Sequence, residues 1–492
     1  MGQPTSERNP DGDARQRVAK NTLLLLAQHA FVTVAGIAVA AFIAQRLGPD
    51  HYGLFEYAFA FAAGFSLLST FGLRAVTVRG VAQREAEPNV YLGRTLTLRV
   101  ALAALALPLL FGLSAIMHDE RTLVVAVAIA AATVPIDAAS TAIRDVFQGL
   151  ERFDVEAATG IAARIATLLG AVAVLLAGHG VLAVVGVYAA GSVVRAAVPA
   201  IAARRAGLSL RPRLDLGDAQ RKLQKALPFA GTAFVGLLLW EINPILLGEI
   251  GDLTMVGIFA AGAKLMLPLE VVPESLASAL APTVARGWAA DDPDTEPLLR
   301  DSFFVLAVLG LPVGVGGVLT ADLLIDLLFG PSYAASAPVM KVLFATMPLE
   351  FSSIAAYYVL GAIHQQRRVF LVTGVGAVVN VGLASWLIPT KGALGCAMAT
   401  FAAVVTCFFG AHGALAQHYR VWSNASAYIK LLVANAVMAG SVMAVRGWGA
   451  LASVMVGVVV YAVLVTGMRL VSWREVRALI SSGDRPSRGG RS

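Results

Sequence analysis

Lys264 lies about ten residues into the apolar run 254–281, or ~15 Å from its end at about 1.5 Å per residue. A charge at that depth costs at least ~3 kcal/mol in hydrocarbon, so such a residue faces a polar interior or pairs with a carboxylate. Arg164 and Arg195 sit ~10–12 Å inside the runs 157–178 and 181–203. Each either lines a polar path or snorkels its head to the nearer interface. Lys341 stands near the end of 336–362, where snorkelling is the simpler reading. Glu241 falls near the middle of 226–248, three residues before Pro244. The proline frees a backbone carbonyl, and unwound backbone beside a carboxylate suits a cation. A pair between Glu241 and Lys264 is the alternative, and the two readings are compatible. Asp137 and Glu350 are further ion-coupling candidates, followed by Glu270 and Glu274. Several adjoin prolines (Pro135, Pro268, Pro273, Pro348) that mark helix bends. Asn380 reads as an interhelical hydrogen bond rather than a ligand.

These residues need a scaffold that spans a membrane. The chain of 492 residues is 58% hydrophobic and 14% charged, with a mean hydropathy of +0.74; a soluble domain carries about 25% charged residues. Fourteen apolar runs are long enough to cross, so the expected fold is an all-α polytopic membrane protein. Cys396 and Cys407 share one run about 16 Å apart, too far for a disulfide, and read as packing residues. There is no zinc pattern and no Gly-Lys dipeptide, which excludes a Walker-type ATP site. No segment between the runs could fold as a catalytic domain, and nothing points to nucleic acid.

The basic residues set the orientation. With the N-terminus inside, four of the 38 fall outside (Arg46, Arg121, Lys391, Arg446) and four within runs (Arg164, Arg195, Lys264, Lys341), leaving 30 in inner segments. Both termini are therefore expected in the cytoplasm. Gly361 to Val405 also overlays Gly149 to Val193 at an offset of 212 without a gap; each copy reads as a transmembrane hairpin. A weaker echo pairs Gly53-Leu54-Phe55 with Gly257-Ile258-Phe259 at an offset of 204. The repeat predicts two six-helix lobes related by a pseudo-two-fold along the membrane normal, plus two extra C-terminal helices. The organisation is a disordered cytoplasmic N-terminus (1–19), an N-lobe (20–203), a basic cytoplasmic linker (204–225), a C-lobe (226–415), the added pair (428–470) and a disordered cytoplasmic tail (481–492).

Four motifs in order then resemble a known family. Leu47-Gly48-Pro49-Asp50-His51-Tyr52-Gly53, Phe147-Gln148-Gly149-Leu150-Glu151-Arg152-Phe153, Leu328-Phe329-Gly330-Pro331-Ser332-Tyr333 and Asn380…Leu387-Ile388-Pro389…Gly392…Gly395-Cys396-Ala397-Met398-Ala399-Thr400 are similar to the turn and loop signatures of the Wzx-type polysaccharide transporters of the MOP superfamily. The resemblance covers about 20–470. It implies a flippase that moves undecaprenyl-pyrophosphate-linked oligosaccharide from inner to outer leaflet of the bacterial plasma membrane by alternating access, with Na+ or H+ coupling. It also implies membrane lipids as surroundings, and a polysaccharide polymerase and glycosyltransferases as partners. Relatives include lipid II flippases and MATE drug antiporters. Many relatives carry an Asp followed by a base in span seven; here Trp240-Glu241-Ile242-Asn243-Pro244 keeps an acid without the base.

On this reading Lys264, Arg164 and Arg195 form a cationic path for the diphosphate, with Glu241, Asp137 and Glu350 as ion-coupling groups. A cation-coupled multidrug exporter is the alternative, favoured by an acid-rich cavity. A membrane polymerase or ligase would need a sizeable outer loop, which is missing, and a transport-dead scaffold would look the same.

Overall fold

The computed structural model describes residues 10–422 and 425–470; the tail 481–492 and the first nine residues lie outside them. Sixteen α-helices follow in chain order among the described residues. They are α1 (Pro10–Thr70), α2 (Leu73–Ala82), α3 (Pro88–Met117), α4 (Arg121–Ala131), α5 (Thr133–Gly149), α6 (Phe153–Leu176), α7 (Val181–Arg205), α8 (Leu216–Gly236), α9 (Asn243–Ile250), α10 (Leu253–Ala263), α11 (Val271–Ala290), α12 (Thr295–Phe329), α13 (Ser336–Ala362), α14 (Gln366–Leu415), α15 (Ala425–Ala444) and α16 (Ala450–Gly467). Helix α1 reaches back to Pro10, into the stretch expected to be disordered. Between α7 and α8 only residues 206–215 of the expected linker are non-helical.

The chain forms two compact units. One comprises residues up to Leu47 with Leu54–Phe234, the other Gly48–Gly53 with residues from Val235 on. Twelve helical stretches are long and apolar enough to cross a membrane among the described residues. Their burial shows why. In α3, Tyr91, Leu92, Thr95, Arg99, Ala103, Ala106 and Leu110 are buried at helical spacing, whereas Leu105 and Ile116 are 74% and 84% exposed. Apolar residues on the outer face, with an arginine inside, require a hydrocarbon surrounding.

Two of the twelve stretches, at 40 and 50 residues, are long enough for two crossings of about 20 residues each. Each contains a glycine with non-helical backbone, Gly48 in α1 and Gly392 in α14. Helix α14 folds back there. Thr400 Oγ1 donates to Asn380 Oδ1 at 3.4 Å, although 20 residues of straight helix span about 30 Å. A Cβ on Gly395 would lie 2.5 Å from the Leu387 carbonyl oxygen, so the turn requires glycine. The first copy of the repeat forms the α6–α7 hairpin, where a Cβ on Gly191 would meet Thr167 at 2.4 Å. Cys396 and Cys407 are free and buried.

In the second unit Gly310, Gly314 and Gly317 of α12 receive Phe351, Pro348 and Phe344 of α13, the close approach that small residues allow in membranes. Beside them Asp322 pairs with Lys341 at 2.8 Å and Arg446 at 2.5 Å. The echo at offset 204 is also a contact within this unit. Leu253 O would lie 1.7 Å from a Cβ on Gly53, and Pro49 O 2.1 Å from one on Gly257. Thr254 donates to Asp50 alongside.

Candidate functional site

In the first unit, α5 carries its polar groups at helical spacing: Asp137, Thr141, Arg144, Asp145 and Gln148. Asp137 pairs with Arg195 of α7 at 3.3 Å and accepts from Ser192 at 3.4 Å. Ser140 donates to the Arg195 carbonyl at 2.7 Å, tying α5 to α7. This pair borders a cavity of about 300 Å³ that Ser66 and Thr70 of α1 and Thr141 also line. Two sequence candidates thus meet as one ion pair, half-buried on both sides. Arg164 does not line that cavity. Its guanidinium lies against Gly36 of α1, 3.2 Å from where a Cβ would sit.

Lower on α5 stands a pair the charge count misplaced. Arg99 belongs to α3, fully buried, and donates to Asp145 at 2.5 Å; their side chains are 0% and 4% exposed. Arg74 of α2 approaches the same carboxylate at 3.8 Å and Gln148 at 3.2 Å. Arg144 binds Glu156 at 2.6 Å. Counting Arg99 and Arg144 with the inner loops hid this network. The spacing of the α5 polar residues was a readable signal for it.

In the second unit two expected spans are broken. Between α8 and α9 the residues Leu237–Glu241 form a π-turn, closed by Ile242 N donating to Leu237 O at 2.9 Å. Pro244 cannot continue the helical ladder, so carbonyls are released upstream. Asn380 takes them: its Nδ2 lies 3.3 Å from Leu238 O and 3.1 Å from Leu239 O. It also donates to Asn243 Oδ1 at 3.0 Å, and Asn243 donates to Thr400 at 3.2 Å. The knot is neutral and buried. The interhelical reading of Asn380 holds, and the carbonyls expected to be open at this break are covered by its amide.

Lys264 is the half-buried residue that ends α10. A 3-10 turn at Leu267–Glu270 separates it from α11. Lys264 therefore stands at a helix break and Glu241 at the end of another. Glu270 is within electrostatic reach of Glu274 and Glu241, and Glu350 of α13 within reach of Glu270. Glu350 is 3% exposed, and neither carboxylate oxygen has a hydrogen-bond partner among the described residues. No three His, Cys, Asp or Glu converge as a metal site among the described residues. Lys341, expected to snorkel, is held by Asp322.

The fold resembles that of several solved transporters. The chain resembles lipid II flippase MurJ in an inward closed conformation, at TM-score 0.73 and 14% identity over 92% of this chain and 100% of that one. It also resembles a multidrug resistance MATE family transporter of the MOP superfamily in an inward-facing conformation, at 0.59 and 14% over 78% and 95%. A MOP superfamily transporter from Pyrococcus furiosus gives 0.54 and 13% over 81% and 95%. No curated protein sequence matches the chain. The helices and their apolar exteriors give an all-helical multi-pass membrane protein, and its fold is like that of these transporters. The profile of the polysaccharide biosynthesis protein family matches residues 18–288, more than half of the sequence. The chain belongs to that family.

Proposed function

We propose that this protein flips a polyprenyl-diphosphate-linked oligosaccharide from the inner to the outer leaflet of a bacterial plasma membrane, both termini being cytoplasmic. Membership of the polysaccharide biosynthesis family carries the reading. The Asp137–Arg195 pair supports a means. An anion binding Arg195 must displace Asp137, and a proton on Asp137 releases Arg195, so anion and proton occupancy are linked. Glu350 is a second group for a proton or cation, since burying an unpaired carboxylate costs several kcal/mol. Lys264 at the α10 break supplies a further cation for the diphosphate. Two six-helix lobes working by alternating access complete the cycle, with a polymerase and glycosyltransferases acting on either side of it.

The test is glycan export by a host lacking the gene and complemented with variants, with protein amount scored separately. Loss of surface polysaccharide, with lipid-linked precursor retained on the inner leaflet, is the expected phenotype. Arg195→Ala should reproduce it at normal protein level. Lys264→Ala, Glu241→Ala and the double variant separate a substrate cation from a structural pair. Full recovery in the double variant assigns a pair; loss of export by a well-expressed Lys264→Ala assigns the diphosphate role. The carboxylates Glu241, Glu270, Glu274 and Glu350 favour a second reading, a cation-coupled drug exporter, which predicts unchanged glycan and increased drug sensitivity in the deleted host.

A further inference from the structure

Helix α8 packs against the start of α2. There Gly72 has φ +66°, and a Cβ on it would lie 2.6 Å from Ala230 N and 2.9 Å from Ala226 O. Only glycine satisfies both the left-handed backbone and the approach. Beside this contact Ala75 and Arg79 of α2, with Gln83 and Glu85 just after it, line a groove with Lys225 and Phe229 of α8. The groove between them holds about 360 Å³, within the range of small-ligand sites, about 300–1,000 Å³. Val76, Ala75 and Phe229 make an apolar floor; Arg79, Lys225 and Gln83 make a polar rim.

Both walls are fixed. Lys222 is buried on α8, donates to Thr95 of α3 at 3.0 Å, pairs with Asp218 at 3.1 Å and lies 3.7 Å over the Tyr91 ring. The Tyr91 hydroxyl donates to Val76 O of α2 at 3.2 Å. The groove is thus held open by contacts outside it. Lys225 is occupied by Glu85 at 3.2 Å, in an exposed pair. The Arg79 side chain has no hydrogen-bond or ion-pair partner among the described residues. One such cation, one cation under an exchangeable carboxylate and an apolar floor suit a phosphorylated lipid, and on the flippase reading that lipid is a diphosphate joined to an isoprenoid chain.

We infer that the α2–α8 groove is a docking site for the diphosphate head and first isoprene units of a polyprenyl diphosphate. The site rests on the flippase reading above and adds a station for the substrate before the Asp137–Arg195 cavity. Arg79 and Lys225 take the phosphates, and Glu85 yields Lys225 as they bind. Glu85 therefore weakens binding in the resting protein.

The test uses the purified full chain in phosphatidylcholine nanodiscs, with farnesyl diphosphate as probe. The double variant Arg79→Gln, Lys225→Gln should bind at least about tenfold more weakly, as expected for charge-assisted contacts. Glu85→Gln should bind several-fold more tightly, a gain that misfolding cannot produce. Unchanged affinity in all these variants overturns the site. So does equal binding of farnesol, which lacks phosphate, or of inorganic pyrophosphate, which lacks the chain. Equal displacement by phosphatidylglycerol overturns it in favour of a bulk-lipid site. Glycan export is scored in parallel. Binding that responds to these variants, in a protein whose deletion spares export, keeps the groove and rejects the flippase reading.

Discussion

Gly257→Ala tests the contact between the two echoed segments. Its new Cβ would sit 2.1 Å from Pro49 O, whereas ordinary contact begins at 3.4 Å. The segments Pro49–Gly53 and Leu253–Gly257 would have to part by more than 1 Å. No rotamer relieves this, because the opposing atom is backbone. Forced overpacking costs typically ~1–3 kcal/mol, or about a fivefold to hundredfold shift toward any state in which the segments are apart. The assay is disulfide formation between Asp50→Cys and Thr254→Cys, positions now joined by a hydrogen bond. The rate of cross-linking should be high with Gly257 in place and fall at least about fivefold in the Gly257→Ala background. Gly53→Ala, whose Cβ would meet Leu253 O at 1.7 Å, should act similarly, and the two should not add, since they strain one contact. Gly316→Ala is the control: nothing lies within 4 Å of its Cβ, so it should be neutral or slightly stabilising. Undiminished cross-linking in the Gly257→Ala background, at an unchanged melting temperature, would refute the reasoning.

Arg99→Ala should lower stability by ~3–5 kcal/mol by stranding Asp145, and Arg99→Met with Asp145→Leu should recover most of it; thermal melts in detergent read both. Asn380→Ala uncovers two carbonyls and Asn243, so it should cost ~1–3 kcal/mol per group left unsatisfied and loosen the π-turn, read by hydrogen exchange at Leu237–Glu241. At Asp215 the Asp218 amide donates at 2.9 Å and holds the carboxyl below its ordinary value, with Arg94 assisting. That stabilisation is full above the unfolded pKa of about 3.9 and is lost as pH falls through the lower folded value, so Asp215→Asn should flatten the acid limb of the melting profile. Cysteines at the outer end of the repeat hairpin (His179) and in the linker (Ser209) should differ under an impermeant thiol reagent in intact cells: the first labelled, the second protected.

The class of fold was legible because hydropathy alone demands it: runs such as 157–178 and 336–362 have no other use in water. The hairpin turns were legible from glycine and proline, as at Gly48-Pro49 and Gly392. The breaks in the expected spans 226–248 and 254–281 were only half legible. Pro244 marked the first, but its resolution through Asn380, far along the chain, depends on packing that no local pattern carries. Pro268 stood beside the second without revealing that Lys264 ends a helix. Among the candidate site residues, depth in an apolar run singled out Lys264, Arg195 and Asp137, yet pairing is a property of two helices. Arg195 with Asp137 and Arg99 with Asp145 were therefore invisible one run at a time. Arg99 was lost for a second reason: a rule that counts cations by segment assigns a residue near the end of an apolar run to the loop, whatever its partner.

The Asp322 bridge bears on how the chain enters its membrane. On the proposed topology Lys341 and Arg446 lie toward the outer face. Moving one positive charge outward against an inside-negative potential costs about 2.3 kcal/mol per 100 mV. A carboxylate is driven the other way, so Asp322 crosses with the field. It precedes both cations in the sequence, and during synthesis it reaches the far side first. Lys341 and then Arg446 arrive at a waiting counter-charge, and the three cross with a net charge of one rather than two. The bridge is thus an order of assembly as well as a brace: a variant lacking Asp322 would face its largest deficit while the α15–α16 hairpin is being inserted, before the finished fold exists to be destabilised.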